Sequence, residues 1–213
     1  MATVRRFILL VALALILAAC GGGEDVGETT TPAAGDTAPV ELGGFVRTPL
    51  PEVGGLSLPD AGNGEKDFSL RAGEDGLLVF YFGYTSCPDV CPTTMADLRT
   101  AIAELEDDGD RIAVAMATID PHRDSAEVLT SYVQAFIADG HALRTDDDAA
   151  LQEVADAFGV TYDVTTGDDG AVEVVHTGSL FAIDDQGRLQ VTWPFGHSSD
   201  DLARDIQILL DRY

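Results

Sequence analysis

Three cysteines and four histidines are the residues of this 213-residue chain best suited to do chemistry. Cys87 and Cys91 stand four apart in Ser86-Cys87-Pro88-Asp89-Val90-Cys91-Pro92. On one helix they would share a face, offset by about 6 Å along the axis. That offset falls in the roughly 4.4–6.8 Å Cα range of a disulfide, and it equally lets two thiolates share a metal ion. A bridge closing so short a loop constrains the unfolded chain little, so a purely structural disulfide is the weaker reading. A helix start would acidify both thiols, because its free N–H groups and partial positive charge stabilise thiolates. Pro88 and Pro92 suit such a start, with Pro92 as first helical residue and Cys91 as N-cap. Asp89 works against acidification and in favour of a bound cation.

Two thiolates make an incomplete metal site. Structural zinc takes four ligands, and with Cys20 assigned elsewhere no further cysteine is available. Two sulfurs and one imidazole suit copper, as Cu(I) or Cu(II). The imidazole must come from His122, His141, His176 or His197. His176 closes the apolar Val174-Val175 and runs on into Ser179 to Ile183, which predicts a strand edge facing the cysteine loop across the sheet end. His122, after Asp120-Pro121, is the main rival. His141 and His197 read as loop or cap residues. The competing chemistry is thiol–disulfide exchange, in which one cysteine attacks and the other resolves. Against it stand the C-x-x-x-C spacing, where redox thioredoxins use C-x-x-C, and the lack of a proline directly before the strand at Leu180. No arrangement around a single peroxidatic cysteine is evident.

These residues need elements to place them. Leu77 to Phe82 is a short apolar run bounded by Gly76 and Gly83, which predicts a strand buried on both faces. The cysteine loop follows. Met95, Leu98, Ile102 and Leu105 recur at threes and fours, predicting a helix over 94–105. Arg111 to Ile119 reads as a second strand. Helices are expected over 125–137, over 146–158 with Gly159 as C-cap, and over 199–210. Strand residues are expected at 174–176 and 179–183, then a turn at 185–187 and a partner strand at 189–193. With a hairpin segment between Phe45 and Leu70, the order is β-α-β-α-(β)-α-β-β-α. That alternation predicts an α/β fold. By analogy it is a thioredoxin-like three-layer sandwich with a mixed central sheet and an N-terminal hairpin extension, its cysteines after the first long strand.

The first 40 residues do not belong to that domain. Arg5 and Arg6, the apolar Phe7 to Leu17 and the small Ala18-Ala19 read as a signal peptide over 1–19, too short to span about 30 Å of hydrocarbon as a helix. Leu17-Ala18-Ala19-Cys20 resembles the bacterial lipobox. That resemblance implies lipidation of Cys20 and an extracytoplasmic protein anchored to the outer face of the cell membrane. Arg5-Arg6-Phe7 hints only weakly at twin-arginine export. Residues 20–40, rich in Gly, Thr, Pro and acids, cannot bury enough surface to order themselves and predict a flexible tether. The folded domain is then 41–213.

Lys and Arg number 12 against 37 Asp and Glu, a net charge of −25. Such a balance excludes nucleic acid as a partner and an electrostatic grip on anionic lipid, since both need clustered cations. It would steer a cation or a basic protein inward.

Phe82-Gly83-Tyr84-Thr85-Ser86-Cys87-Pro88-Asp89-Val90-Cys91-Pro92 resembles the signature of the Sco/SenC family of copper-binding thioredoxin-fold proteins. Ile119-Asp120-Pro121 with Arg123-Asp124 is similar to that family's second block. His176-Thr177, leading to Leu180-Phe181-Ala182-Ile183-Asp184 and Gly187, is similar to the third. Together the blocks span about residues 50–213. The resemblance implies that Cys87, Cys91 and His176 bind one copper. It implies delivery to the binuclear copper site of cytochrome c oxidase, or upkeep of its thiols, with the copper-bearing subunit as partner and another copper carrier or a thiol reductant as a further one. Many members carry Asp just before this His, where this chain has Val175; Asp120 is the candidate for an outer acidic partner.

Overall fold

The computed structural model describes residues 41–212. The signal peptide, Cys20 and the tether lie outside the described residues. No helix among those described is long and apolar enough to cross a membrane.

The chain enters through a hairpin of β1 (Ser57–Asp60) and β2 (Lys66–Ser69), as expected between Phe45 and Leu70. Next come β3 (Leu77–Gly83), α1 (Val90–Glu104), β4 (Ile112–Thr118), α2 (Ala126–Phe136), β5 (His141–Leu143) and α3 (Asp148–Phe158). They are followed by β6 (Tyr162–Thr166), β7 (Val172–His176), β8 (Ser179–Ile183), β9 (Leu189–Pro194) and α4 (Ser199–Leu210). Seven strands form one mixed sheet in the order β2-β1-β5-β4-β3-β8-β9. β3, β4 and β5 are parallel, while β8 runs antiparallel to β3 and β9 to β8.

β3 sits between β4 and β8, and all seven of its residues are buried. A strand covered on both faces must be apolar on both, which explains its unbroken hydrophobic run. Alternation along β3 separates the layers. Phe80 and Phe82 share one face and pack on Phe158 of α3, with ring centroids 5.0 and 5.8 Å away. Tyr81 points the other way, to Cys91 of α1. α4 joins α1 on that side and is fastened to β9 where Trp193 Nε1 donates to Asp205 at 2.8 Å. The three-layer thioredoxin-like plan holds.

Helix ends are closed by local chemistry at four places, one of them the expected Gly159 cap. Ser125 caps α2, and Asp147 caps α3 by accepting from the amides of Ala149 and Ala150. Gly159 ends α3 at φ 70°, a left-handed conformation that glycine takes without a Cβ penalty. Ser198 and Asp201 form a capping box on α4.

Two expectations need correction. α1 begins four residues earlier than the apolar periodicity suggests, at Val90, with Asp89 as N-cap. Its opening turn is made by Val90, Cys91 and Pro92, where amides have no intrahelical acceptor, so a proline there costs nothing. The stretch 174–183 is two elements. β7 leaves the main sheet and pairs only with β6, in register Tyr162↔His176. Gly178 follows, and β8 then enters the central sheet beside β3.

Candidate metal centre

Cys87 lies in the loop after β3 and Cys91 in the first turn of α1, so the pair straddles a helix start instead of sharing a helical face. The loop is held from below by Asp124. Its buried carboxylate accepts from the Thr85 amide at 3.0 Å, the Thr85 hydroxyl at 2.5 Å and the Thr118 hydroxyl at 2.6 Å. One side chain thus binds the start of the cysteine loop to the end of β4, its buried oxygens satisfied by hydrogen bonds.

Both cysteines are free thiols, and they are not equivalent. The Cys91 amide donates to Cys87 Sγ at 3.3 Å. Cys87 is half-buried; burial pushes its thiol up, but hydrogen bonds led by that amide outweigh it and bring it below the ordinary value. Cys91 is fully buried, and burial pushes its thiol up to about 12 against the opposing donation from the Tyr81 hydroxyl at 3.4 Å. The expectation that both would be acidified holds for Cys87 alone. Cys91 is not the N-cap, and desolvation at its sulfur exceeds what the helix end supplies.

His176 is the last residue of β7. The hairpin base is fixed where the Thr177 amide donates to the Thr161 carbonyl at 3.0 Å and the Thr161 amide to the Thr177 hydroxyl at 3.2 Å. This brings His176 Nε2 to 3.9 Å from Cys91 Sγ. Nδ1 lies 3.0 Å from the Thr177 carbonyl. A carbonyl oxygen only accepts, so Nδ1 carries the proton and Nε2 turns its lone pair towards the sulfur. Burial holds the imidazole below its ordinary value and keeps it neutral. Two aromatic rings brace it, Tyr84 edge-on at 5.8 Å and Tyr81 at 6.4 Å.

The other histidines are engaged elsewhere. His141 Nδ1 meets Asp60 at 2.8 Å, and His197 sits between the carbonyls of Pro194 and Gly43. His122 lines a different cavity, with Asp120, Asp148 and Tyr162. Asp120 makes no hydrogen bond to His176. It is paired with Arg123, whose guanidinium lies 5.9 Å from the Tyr84 ring, so it reaches the imidazole only through two other side chains. Val175 borders the cleft at its exposed rim: alternation in β7 half-buries Val174 and His176 and leaves Val175 65% exposed.

Among the described residues, no group of three or more His, Cys, Asp and Glu side chains is arranged to hold a metal ion as it stands. Two of the candidate donors, Cys87 and His176, line one open cleft of about 380 Å³ beside Tyr84, Val90, Val174, Val175 and Phe195, while Cys91 is fully buried. Two soft sulfurs and an oriented, neutral imidazole match a soft monovalent or borderline divalent ion. They equally suit thiol–disulfide exchange, with Cys87 as the accessible, acidified partner.

Tyr81 and the Thr177 carbonyl were not foreseen as parts of the site. Tyr81 had a signal in the sequence, since it carries the only hydroxyl in the buried run Leu77 to Phe82, and a buried hydroxyl needs a partner. The carbonyl had none, because a backbone acceptor depends on the turn that aims it.

Comparison with known proteins places the chain among relatives of the same fold. The chain is similar to an apo Sco1 protein of Thermus thermophilus, with 28% identity, a TM-score of 0.69 and coverage of 81% of this chain and 99% of that one. It is similar to copper-bound ScoI of Bradyrhizobium japonicum, with 25% identity, a TM-score of 0.61 and coverage of 74% and 96%. A SCO2-like protein of Rickettsia prowazekii is 33% identical over 53% of this chain, which spans 55% of that relative's length. The family pattern described as SCO1/SenC matches residues 64–211, from the entering hairpin through the cysteine loop and the His176 hairpin to the end of α4, and the chain belongs to that family.

Proposed function

We propose that this chain is an extracytoplasmic copper carrier. Cys87 and Cys91, as thiolates, and His176, as a neutral imidazole, hold one copper ion as cargo and release it by ligand exchange to the copper-bearing subunit of cytochrome c oxidase. The observation that carries the proposal is the 3.9 Å approach of His176 Nε2 to Cys91 Sγ, with Nδ1 committed to the Thr177 carbonyl. A ring so oriented presents its lone pair where a metal bound to that sulfur would need it. Closing all three donors on one ion asks for a local side-chain movement, and the open cleft leaves room for it. The Bradyrhizobium relative with copper bound supports the choice of ion. The family resemblance supplies the recipient, and the lipobox-like Leu17-Ala18-Ala19-Cys20 supplies the membrane anchor.

Metal analysis of the reduced full chain with Cu(I) and with Cu(II) tests this. The expected result is one copper per chain, and at least a tenfold loss of affinity in His176→Ala with the fold retained. Unchanged affinity in that variant would remove His176 from the ligand set.

One observation favours thiol exchange as a second reading, namely the half-buried, acidified Cys87 beside a resolving thiol. In that case the copper-free protein reduces a disulfide in the recipient catalytically, and His176→Ala leaves that rate unchanged.

A further inference from the structure

Tyr81 occupies the centre of β3, fully buried, in a run where Phe80 and Phe82 fill equivalent positions on the opposite face. Phenylalanine would fill the same volume. A phenol buried this deeply is costly unless its hydroxyl is bonded. That hydroxyl donates to Cys91 Sγ at 3.4 Å, between two groups with no exposed surface. Cys87 Sγ receives its donor differently, from the Cys91 backbone amide at 3.3 Å. Cys87 is also bonded by the Asp89 backbone and the Tyr84 side chain near the open cleft, whereas Tyr81 is the side chain that donates to the buried sulfur of Cys91. The same Tyr81 ring lies 6.4 Å from the His176 ring, so one residue touches the deep sulfur and flanks the imidazole.

We propose that Tyr81 is a positioning residue of this centre, pinning Cys91 Sγ beside His176 and drawing electron density from that sulfur through its hydroxyl. The inference deepens the copper-carrier reading and rests on it. A donor to a thiolate strengthens as the sulfur gains charge, and it makes the sulfur a weaker electron donor to a bound metal. Hydrogen bonding around a ligating cysteine sulfur is a recognised control of a copper site's electronic properties. In the metal-free protein the same donor stabilises the open dithiol over the disulfide, in which the sulfur accepts less well.

The test compares the full chain with Tyr81→Phe, which keeps the ring and deletes the donor. Tyr132→Phe, which deletes a nearby buried hydroxyl that has no hydrogen-bond partner among the described residues and so donates to neither sulfur, serves as control. Two readouts are taken. In the Cu(II)-loaded proteins, the sulfur-to-copper charge-transfer band is expected to move to longer wavelength in Tyr81→Phe and to stay in place in the control. In the copper-free proteins, the Cys87–Cys91 disulfide is equilibrated with dithiothreitol. The protein S–S bond opens to two thiols as the reagent's two thiols close to its ring disulfide. The equilibrium constant for this reduction is expected to fall about fivefold in Tyr81→Phe. An unmoved band with an unmoved equilibrium constant overturns the role of Tyr81 while leaving copper binding intact. If the parent chain takes up no copper, the carrier reading fails instead, and the dithiothreitol equilibrium still decides whether the phenol governs Cys91.

Discussion

Cys87 and Cys91 are chemically different although four residues separate them. The sulfur of Cys87 is half-buried and lies on a helix-start amide; that of Cys91 is sealed under Tyr81. Alkylation of the reduced protein with iodoacetamide should therefore modify Cys87 first, by at least an order of magnitude in rate, with Cys91 reacting only as the helix start opens. Because hydrogen bonding brings the Cys87 thiol below its ordinary value, its alkylation should reach half-maximal rate at a lower pH than that of an unperturbed cysteine thiol. Peptide mass spectrometry over a pH series reads both effects. Preferential labelling of Cys91 would overturn this assignment. The spacing showed that the two sulfurs could meet. It could not show which one is covered, because cover depends on how α1 folds back on Tyr81 of the preceding strand and on β7, distant in the chain.

Among the elements, α4 and β9 are joined through one buried carboxylate. Asp205 accepts from Trp193 Nε1 and from the amides of Gly43 and Gly44, and it also meets Arg204. Burial alone would push this carboxyl up; the four donors outweigh it and hold it below the ordinary carboxylate range. A folded value below the unfolded one stabilises the protein above the unfolded pKa of about 4, and that contribution is lost as pH falls through the folded value. Asp205→Asn should cost about 2 kcal/mol at pH 7, with the gap between variant and parent closing as pH drops below about 4. Denaturant melts at pH 7, 5 and 3 measure it, and a gap that stays constant to pH 3 would rule out the ionised carboxylate as the source. The Asp205 bond to Gly43 and Gly44 also fixes where the chain enters the domain. The periodicity of 199–210 sets Asp205 on the apolar face, three residues after Leu202 and four before Leu209, but gives none of its donors, which come from docking against Trp193 and the Gly43-Gly44 entry.

For the chain as one object, a domain carrying most of a −25 charge is proposed to hang from a lipid on Cys20 by a Gly-, Thr- and Pro-rich tether. Cys20→Ser should move the full chain from the membrane fraction to the soluble extracytoplasmic fraction, which immunoblotting of fractionated cells detects. Retention in the membrane fraction would count against lipid anchoring. The charge also bears on delivery. Acidic surface attracts a basic recipient at long range, an effect that salt screens within about 10 Å at 0.1 M.

Much of the architecture was legible because it depends on local rules. The buried strand at Leu77 to Phe82, the capped helices and the order of elements follow from periodicity and cap chemistry acting over a few residues. The candidate donors were legible too, since Cys87, Cys91 and a histidine stand out by chemistry alone. The start of α1 was missed because its first turn, Val90-Cys91-Pro92, contributes to the core through Cys91 rather than through an apolar stripe. The separate β6–β7 hairpin was missed because 174–176 and 179–183 read as one strand region, and pairing is a choice between partners that single-chain alternation does not record. His176 reaches the cysteines through exactly that pairing. Register Tyr162↔His176 and the Thr161–Thr177 bonds set its position, and they form only when segments far apart in the chain are packed together.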